Sequence, residues 1–241
     1  MKLHVWEWAA SCAGGRPPVA ALLHGYGEDG ACWARLAELL VRRGYRVVAP
    51  DLRGHGLSDR SGDYSFGAVV EDVLDTLPEA PDLAIGHSFG ALVLGSVVGE
   101  WRPGKAVYLD PALTPMEAVI ERDRPDRLPQ VTEEQIRARG AGLHPADVQA
   151  RCDANARLDP ETWAQMSRVW WYRSELPAPP DHRDGATAAL VIAASDSTLV
   201  PAELHDRLRG LGLEVRVAIG IGHLMHREDP HQVVDLMWGY C

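Results

Sequence analysis

Pro81-Asp82-Leu83-Ala84-Ile85-Gly86-His87-Ser88-Phe89-Gly90-Ala91-Leu92-Val93-Leu94 is the stretch on which the fold turns. Pro81 to Ile85 reads as a short apolar strand and Ala91 to Val98 as a buried helix. Between them stands G-x-S-x-G, the pattern of a serine held on a sharp turn between strand and helix. The requirement is steric. Glycine is needed two residues before and two after the serine, where a Cβ would strike the neighbouring helix or strand. Such a turn lifts the Ser88 hydroxyl clear of the sheet and sets it at a helix N-terminus, where developing negative charge is favoured.

The same alternation extends in both directions. Leu3 to Trp8 predicts an edge strand, and Val19 to Leu23, a continuous apolar run, predicts a strand covered on both faces. A helix is expected over about Ala31 to Arg43, with Trp33, Leu36, Leu39 and Leu40 on one face. Arg46 to Ala49 predicts a strand, and Ser65 to Leu77 a helix capped by Ser65. Strands are expected at Lys105 to Leu109, Ala189 to Ala194 and Leu213 to Ile219, with helices at Pro201 to Leu211 and His231 to Trp238. Strands alternating with helices imply an α/β fold, a mostly parallel sheet with helices on both faces.

Residues 112–184 break the rhythm. They are rich in Arg, Asp, Glu and Pro and lack a strand-like run. Val119 to Arg124, Thr132 to Arg139, Pro145 to Ala156 and Pro160 to Trp171 predict short helices, and Pro177 to Pro180 a linker. The expectation is one domain, with core 1–111 and 185–241 and a helical cap 112–184 over the strand C-termini, where ligands of such sheets bind. Trp163, Trp170, Trp171 and Tyr172 cluster in the cap. They pack it on the core, form a pocket wall, or do both at once, and the three tryptophans are the pocket candidates.

The composition narrows the function classes. The chain has 241 residues, 46% of them hydrophobic, and a net charge of −10. That charge argues against nucleic acid or an anionic membrane as partner and leaves a small-molecule substrate. The charged N-terminal stretch Met1 to Trp8 lacks the apolar core of a signal peptide, so a cytoplasmic protein is expected. Cys12, Cys32, Cys152 and Cys241 are scattered without a C-x-x-C, which suggests neither a disulfide framework nor a zinc site. Oligomeric state is not legible.

A serine hydroxyl is a weak nucleophile. It needs a base, and the base needs an orienting acid. His223, in a loop just past the last strand, is the favoured base, with His226 as its local rival; His87 is expected to point away from the turn. Asp196, after the Ala189 to Ala194 strand, is the favoured acid. Asp110, one strand nearer Ser88 and followed by Pro111, is its rival.

The order Ser88, Asp196, His223 resembles that of the alpha/beta-hydrolase family. So do His24-Gly25-Tyr26-Gly27, Asp51-Leu52-Arg53-Gly54-His55-Gly56-Leu57-Ser58, Gly86-His87-Ser88-Phe89-Gly90 and Gly222-His223. The resemblance implies an alpha/beta-hydrolase fold with backbone N–H groups of Tyr26 and Phe89 as the oxyanion hole. It makes Asp51 to Ser58 structural and implies hydrolysis of a carboxylic ester, lactone or thioester without metal or organic cofactor. Carbon–carbon bond hydrolysis, cofactor-free lyase or cyclase chemistry and a ligand receptor on the same fold stay open. Gly25-Tyr26-Gly27-Glu28-Asp29-Gly30 is also a formal G-x-G-x-x-G, with Asp51 placed as a ribose-binding acid would be. Glu28 and Asp29 would, however, set two negative charges against a pyrophosphate.

Overall fold

The structure is a computed structural model and describes residues 1–9, 15–113, 131–166 and 181–238. Among the described residues seven strands form one sheet: β1 (Val5–Trp8), β2 (Val19–Leu23), β3 (Arg46–Pro50), β4 (Leu83–His87), β5 (Lys105–Leu109), β6 (Ala188–Ala194) and β7 (Glu214–Ala218). Their order is β1-β3-β2-β4-β5-β6-β7. β1 runs antiparallel to β3 at one edge, and every other pairing is parallel. This agrees with the α/β expectation.

Side chains of successive strand residues go to opposite faces. Along β2, Ala20 and Leu22 join one core while Val19, Ala21 and Leu23 join the other. On the first face lie α1 (Ala34–Arg42), α8 (Met225–Glu228) and α9 (Pro230–Trp238), through Leu36, Leu40, Met225 and Val233. On the second lie α2 (Phe66–Thr76), α3 (Phe89–Trp101) and α7 (His205–Gly210), through Val69, Val93 and Leu208. Ser65 caps α2 by accepting from the Ala68 N–H. The long helix expected from Ala31 begins instead as a 3-10 turn at Gly30–Trp33, capped by Asp29, and the one expected from Pro201 begins as a 3-10 turn at Ala202–Leu204.

Between β5 and β6 the described chain is helical: α4 (Glu133–Arg139), α5 (Pro145–Arg157) and α6 (Pro160–Met166). Thr132 and Gln135 form a capping box on α4, and Pro145 opens α5, both as their residue types favour. The expected helix at 119–124, the linker at 177–180, and Trp170, Trp171 and Tyr172 lie outside the described residues.

All parallel strands end on one side of the sheet, so the loops after β2, β4, β5, β6 and β7 share one edge. These loops carry Tyr26, Ser88, Asp110, Asp196 and His223 in that order. Among the described residues no helix is long and apolar enough to cross a membrane.

Candidate active site

Ser88 stands between β4 and α3 with φ 50° and ψ −111°, a region that side-chain-bearing residues avoid. Strain of this kind costs about 1–3 kcal/mol and persists only where the surroundings impose it. The flanking glycines show how. A Cβ on Gly86 would come within 2.5 Å of the Gly90 carbonyl oxygen, and one on Gly90 within 2.2 Å of the Leu23 carbonyl oxygen. The Ser88 N–H donates to the Leu109 carbonyl at 3.0 Å, which fixes the turn against β5.

His223 comes off the loop after β7. Glu228 accepts from the backbone N–H groups of Gly222 (2.6 Å) and Leu224 (3.2 Å), one on each side of His223, and so holds the loop. The imidazole Nδ1 lies 2.7 Å from Asp110 Oδ2. Asp110 is buried, while the His223 side chain keeps 39% of its surface exposed. Burial opposes ionisation of Asp110. Hydrogen bonds from His223, Ser197 and the Ala194 N–H outweigh it and hold the carboxyl below its ordinary value. Ser88, Asp110 and His223 all line one cavity of about 570 Å³.

The expected acid, Asp196, is not the partner of His223. It lies two residues beyond β6, exposed, on the cavity rim. The reason is side-chain direction, which strand counting does not reveal. Asp110 adopts φ 39°, a left-handed conformation, directly after β5. Its N–H donates to Ile192 and its Oδ1 accepts from the Ala194 N–H, so β6 anchors the carboxylate beside the His223 loop. The chain bends at Asp110, directly before Pro111, and the bend delivers the carboxylate to His223.

A second cluster lies behind this one. Glu28, in the loop with Tyr26, is buried, as are His87, His226 and Arg227. Glu28 Oε2 accepts from the Gly25 N–H at 3.2 Å and lies 3.2 Å from His87 Nδ1. Its Oε1 is 3.6 Å from both His226 Nε2 and Arg227 Nε. Burial opposes the Glu28 charge, but these cationic and hydrogen-bonding neighbours outweigh it and hold the carboxyl well below the usual range. Burial pushes the His226 imidazole down and that of His87 down to about 4. His87 Nε2 donates to the His223 carbonyl oxygen at 2.9 Å. One buried carboxylate thus ties together the loops of Tyr26, Ser88 and His223. His87, expected to point away from the Ser88 turn, instead lines the cavity with its ring 4.6 Å from that of His223, while His226 packs against Trp33 at 4.5 Å and is not among the lining residues. The donor atoms of Glu28, His87 and His226 lie within 4.8 Å of one another, the spacing of a metal site. Arg227 already supplies the countercharge there, and a second cation would be repelled.

Sequence reasoning missed this cluster. Glu28 was visible only as an unfavourable charge near a glycine-rich turn, and nothing local shows which carboxylate is buried. The Gly25 to Gly30 turn binds its own chain. Asp51 Oδ1 accepts from the Gly30 N–H and Trp6 Nε1–H, and Oδ2 accepts from the Leu57 N–H, so the aspartate closes three segments of the fold. Asp51 to Ser58 is therefore structural, as expected.

The cap closes the cavity from above. The Tyr26 hydroxyl and Thr162 Oγ1 are 3.0 Å apart, and burial pushes the phenol up to about 12. Trp163 packs on the Tyr26 ring at 5.6 Å. Of the two roles expected for it, packing is the one seen; it is not among the residues lining the cavity. The lining instead includes Ile136, Leu143 and Val148 with Arg139 and Arg151.

A family model described as the alpha/beta hydrolase family matches residues 21–236. Among curated proteins, the lipase LipV of Mycobacterium tuberculosis is 28% identical over 98% of this chain and 96% of its own. Human protein ABHD8 is 38% identical over 33% of this chain, a match spanning only 20% of its length. Among solved structures, the esterase EaEST of Exiguobacterium antarcticum aligns with a TM-score of 0.75 at 16% identity, covering 99% of this chain and 94% of its own. At that identity the likeness speaks for the fold alone.

Proposed function

Since this chain belongs to the alpha/beta hydrolase family, we propose that it is a serine hydrolase of a carboxylic ester, lactone or thioester, with Ser88, His223 and Asp110 as its triad. The observation that carries this reading is the 2.7 Å contact of His223 Nδ1 with Asp110, on the cavity where the strained Ser88 is presented. With Nδ1–H held by the carboxylate, Nε2 is left as the basic nitrogen. In the proposed cycle Ser88 Oγ attacks the acyl carbon and passes its proton to His223 Nε2. Asp110 keeps the tautomer and stabilises the imidazolium. The Tyr26 and Phe89 backbone N–H groups receive the oxyanion, each contributing about 2.7–4 kcal/mol of transition-state stabilisation. The leaving group takes the proton from His223 and departs. Water, activated by the same nitrogen, then releases the acid from Ser88. The fold's association with lipases and esterases supports this chemistry without selecting a substrate.

Labelling with a fluorophosphonate probe and mapping the modified peptide tests the reading. A single adduct on Ser88, absent in Ser88→Ala and with the fold retained, is expected. Labelling that survives in Ser88→Ala, or a wild-type protein that never labels, would overturn it.

A further inference from the structure

The cavity wall supplied by the cap repeats one short pattern. On α4, Ile136 is followed three residues later by Arg139; on α5, Val148 is followed three residues later by Arg151. Residues three apart share a helix face, and all four line the cavity. Ile136 and Val148 pack together, so the wall is an apolar contact with a guanidinium one turn from each half of it. Neither arginine has an ion pair among the described residues. The contrast within the cap is direct: Arg137 and Arg157, which do not line the cavity, are paired with Glu133 and Asp29. Arg151 donates to the Gly27 carbonyl oxygen in the Tyr26 loop, a neutral acceptor that leaves its charge uncompensated among the described residues. Of the acidic groups lining the cavity, Glu28 faces Arg227 and Asp110 faces His223, while Asp196 stands exposed at the rim, where solvent screens its charge. In a chain of net charge −10, two unanswered cations on one cavity wall are a local feature, not a general one.

We infer that Arg139 and Arg151 form a subsite for an anionic group, so that the substrate is an ester or thioester carrying a carboxylate or phosphate beyond a short apolar segment. The inference rests on Ser88 being the nucleophile of the same cavity. Guanidinium binds both anions through paired, charge-assisted hydrogen bonds. The anion belongs either to the acyl part, as in a monoester of a dicarboxylic acid, or to the leaving group, as in an ester of a phosphorylated alcohol.

The test compares kcat/KM for methyl hydrogen succinate, glutarate and adipate with that for the length-matched neutral methyl esters. A second arm compares the butanoate ester of glycerol 3-phosphate with glycerol monobutanoate. A preference of about tenfold or more for the anionic member is expected in one arm, the worth of one charge-assisted hydrogen bond. It should narrow as salt is raised, a readout that needs no variant. Arg139→Glu should remove or invert the preference, mainly through KM, and Arg151→Lys should retain more of it than Arg151→Gln. Hydrolysis of the neutral esters that depends on Ser88 but shows no preference in either arm overturns the subsite and leaves the serine-hydrolase reading standing. If neither ester class turns over and the fluorophosphonate adduct is absent, that reading fails by itself. Calorimetric binding of glutarate and glycerol 3-phosphate then decides the subsite: binding lost in Arg139→Glu sustains it, and no binding to the wild type removes it.

Discussion

The cavity floor and its cap are held by different forces. The floor is built on strained turns at the ends of buried strands, with Ser88 and Asp110 both at positive φ and Glu28 fully enclosed among His87, His226 and Arg227. The cap has a small apolar cluster of its own around Ile136, Val148 and Cys152. It reaches the core through polar links: Arg35 to Asp147, Arg157 to Asp29, Tyr64 to Asp159 and Tyr26 to Thr162. Backbone strain and buried charge tolerate little change, because each is imposed by many neighbours at once. The arginines of these pairs are partly solvent-exposed, so each link is weaker than a fully enclosed one, although Asp29 and Asp147 are themselves buried.

The largest test lies on the floor. Asp110→Asn should lower turnover by up to about 10⁴-fold through loss of the required His223 tautomer. Asp196→Asn, at an exposed rim position, should leave turnover within about threefold. Steady-state rates on one ester decide between them, and a larger loss in Asp196→Asn would return the acid to β6.

Next comes Glu28. Glu28→Ala leaves Arg227 buried without its countercharge and should cost about 3–5 kcal/mol of stability, read from denaturant unfolding. An effect below about 1 kcal/mol would mean the cluster is not what binds the three loops.

Acid should weaken the floor before it reaches most carboxylates. Burial lowers His55 to about 3 and His87 to about 4 from an ordinary 6.5. The unfolded chain therefore binds more protons than the folded one across that window, and stability falls as pH drops below about 6.5. The melting temperature should decline clearly from pH 7 to pH 5. An unchanged melting temperature would show that these rings accept protons while folded.

The smallest effect belongs to the cap. Thr162→Val removes the Tyr26–Thr162 hydrogen bond and the one from Thr162 Oγ1 to the Asp159 carbonyl, and should cost about 1–3 kcal/mol of global stability, with KM moved more than kcat. A collapse of kcat would show that the cap link orders the Tyr26 loop and that floor and cap are not separable.

The sequence by itself determined the strand and helix order and the Ser88 turn, and it placed His223 just past the last strand. These are local facts: apolar runs, glycines at fixed offsets and a histidine just past a strand are properties of adjacent residues. The helices expected at Thr132 to Arg139 and Pro145 to Ala156 likewise stand close to α4 and α5. Only the tertiary structure decided that Asp110, not Asp196, meets His223, because that depends on where a positive-φ residue at one strand end aims its side chain past the next strand. It alone decided that Glu28 is a buried tie between three loops and that Arg139 and Arg151 share a cavity wall. Residues from Glu28 to Arg227 meet there, and burial, charge pairing and cavity shape arise between chain segments that the sequence keeps far apart.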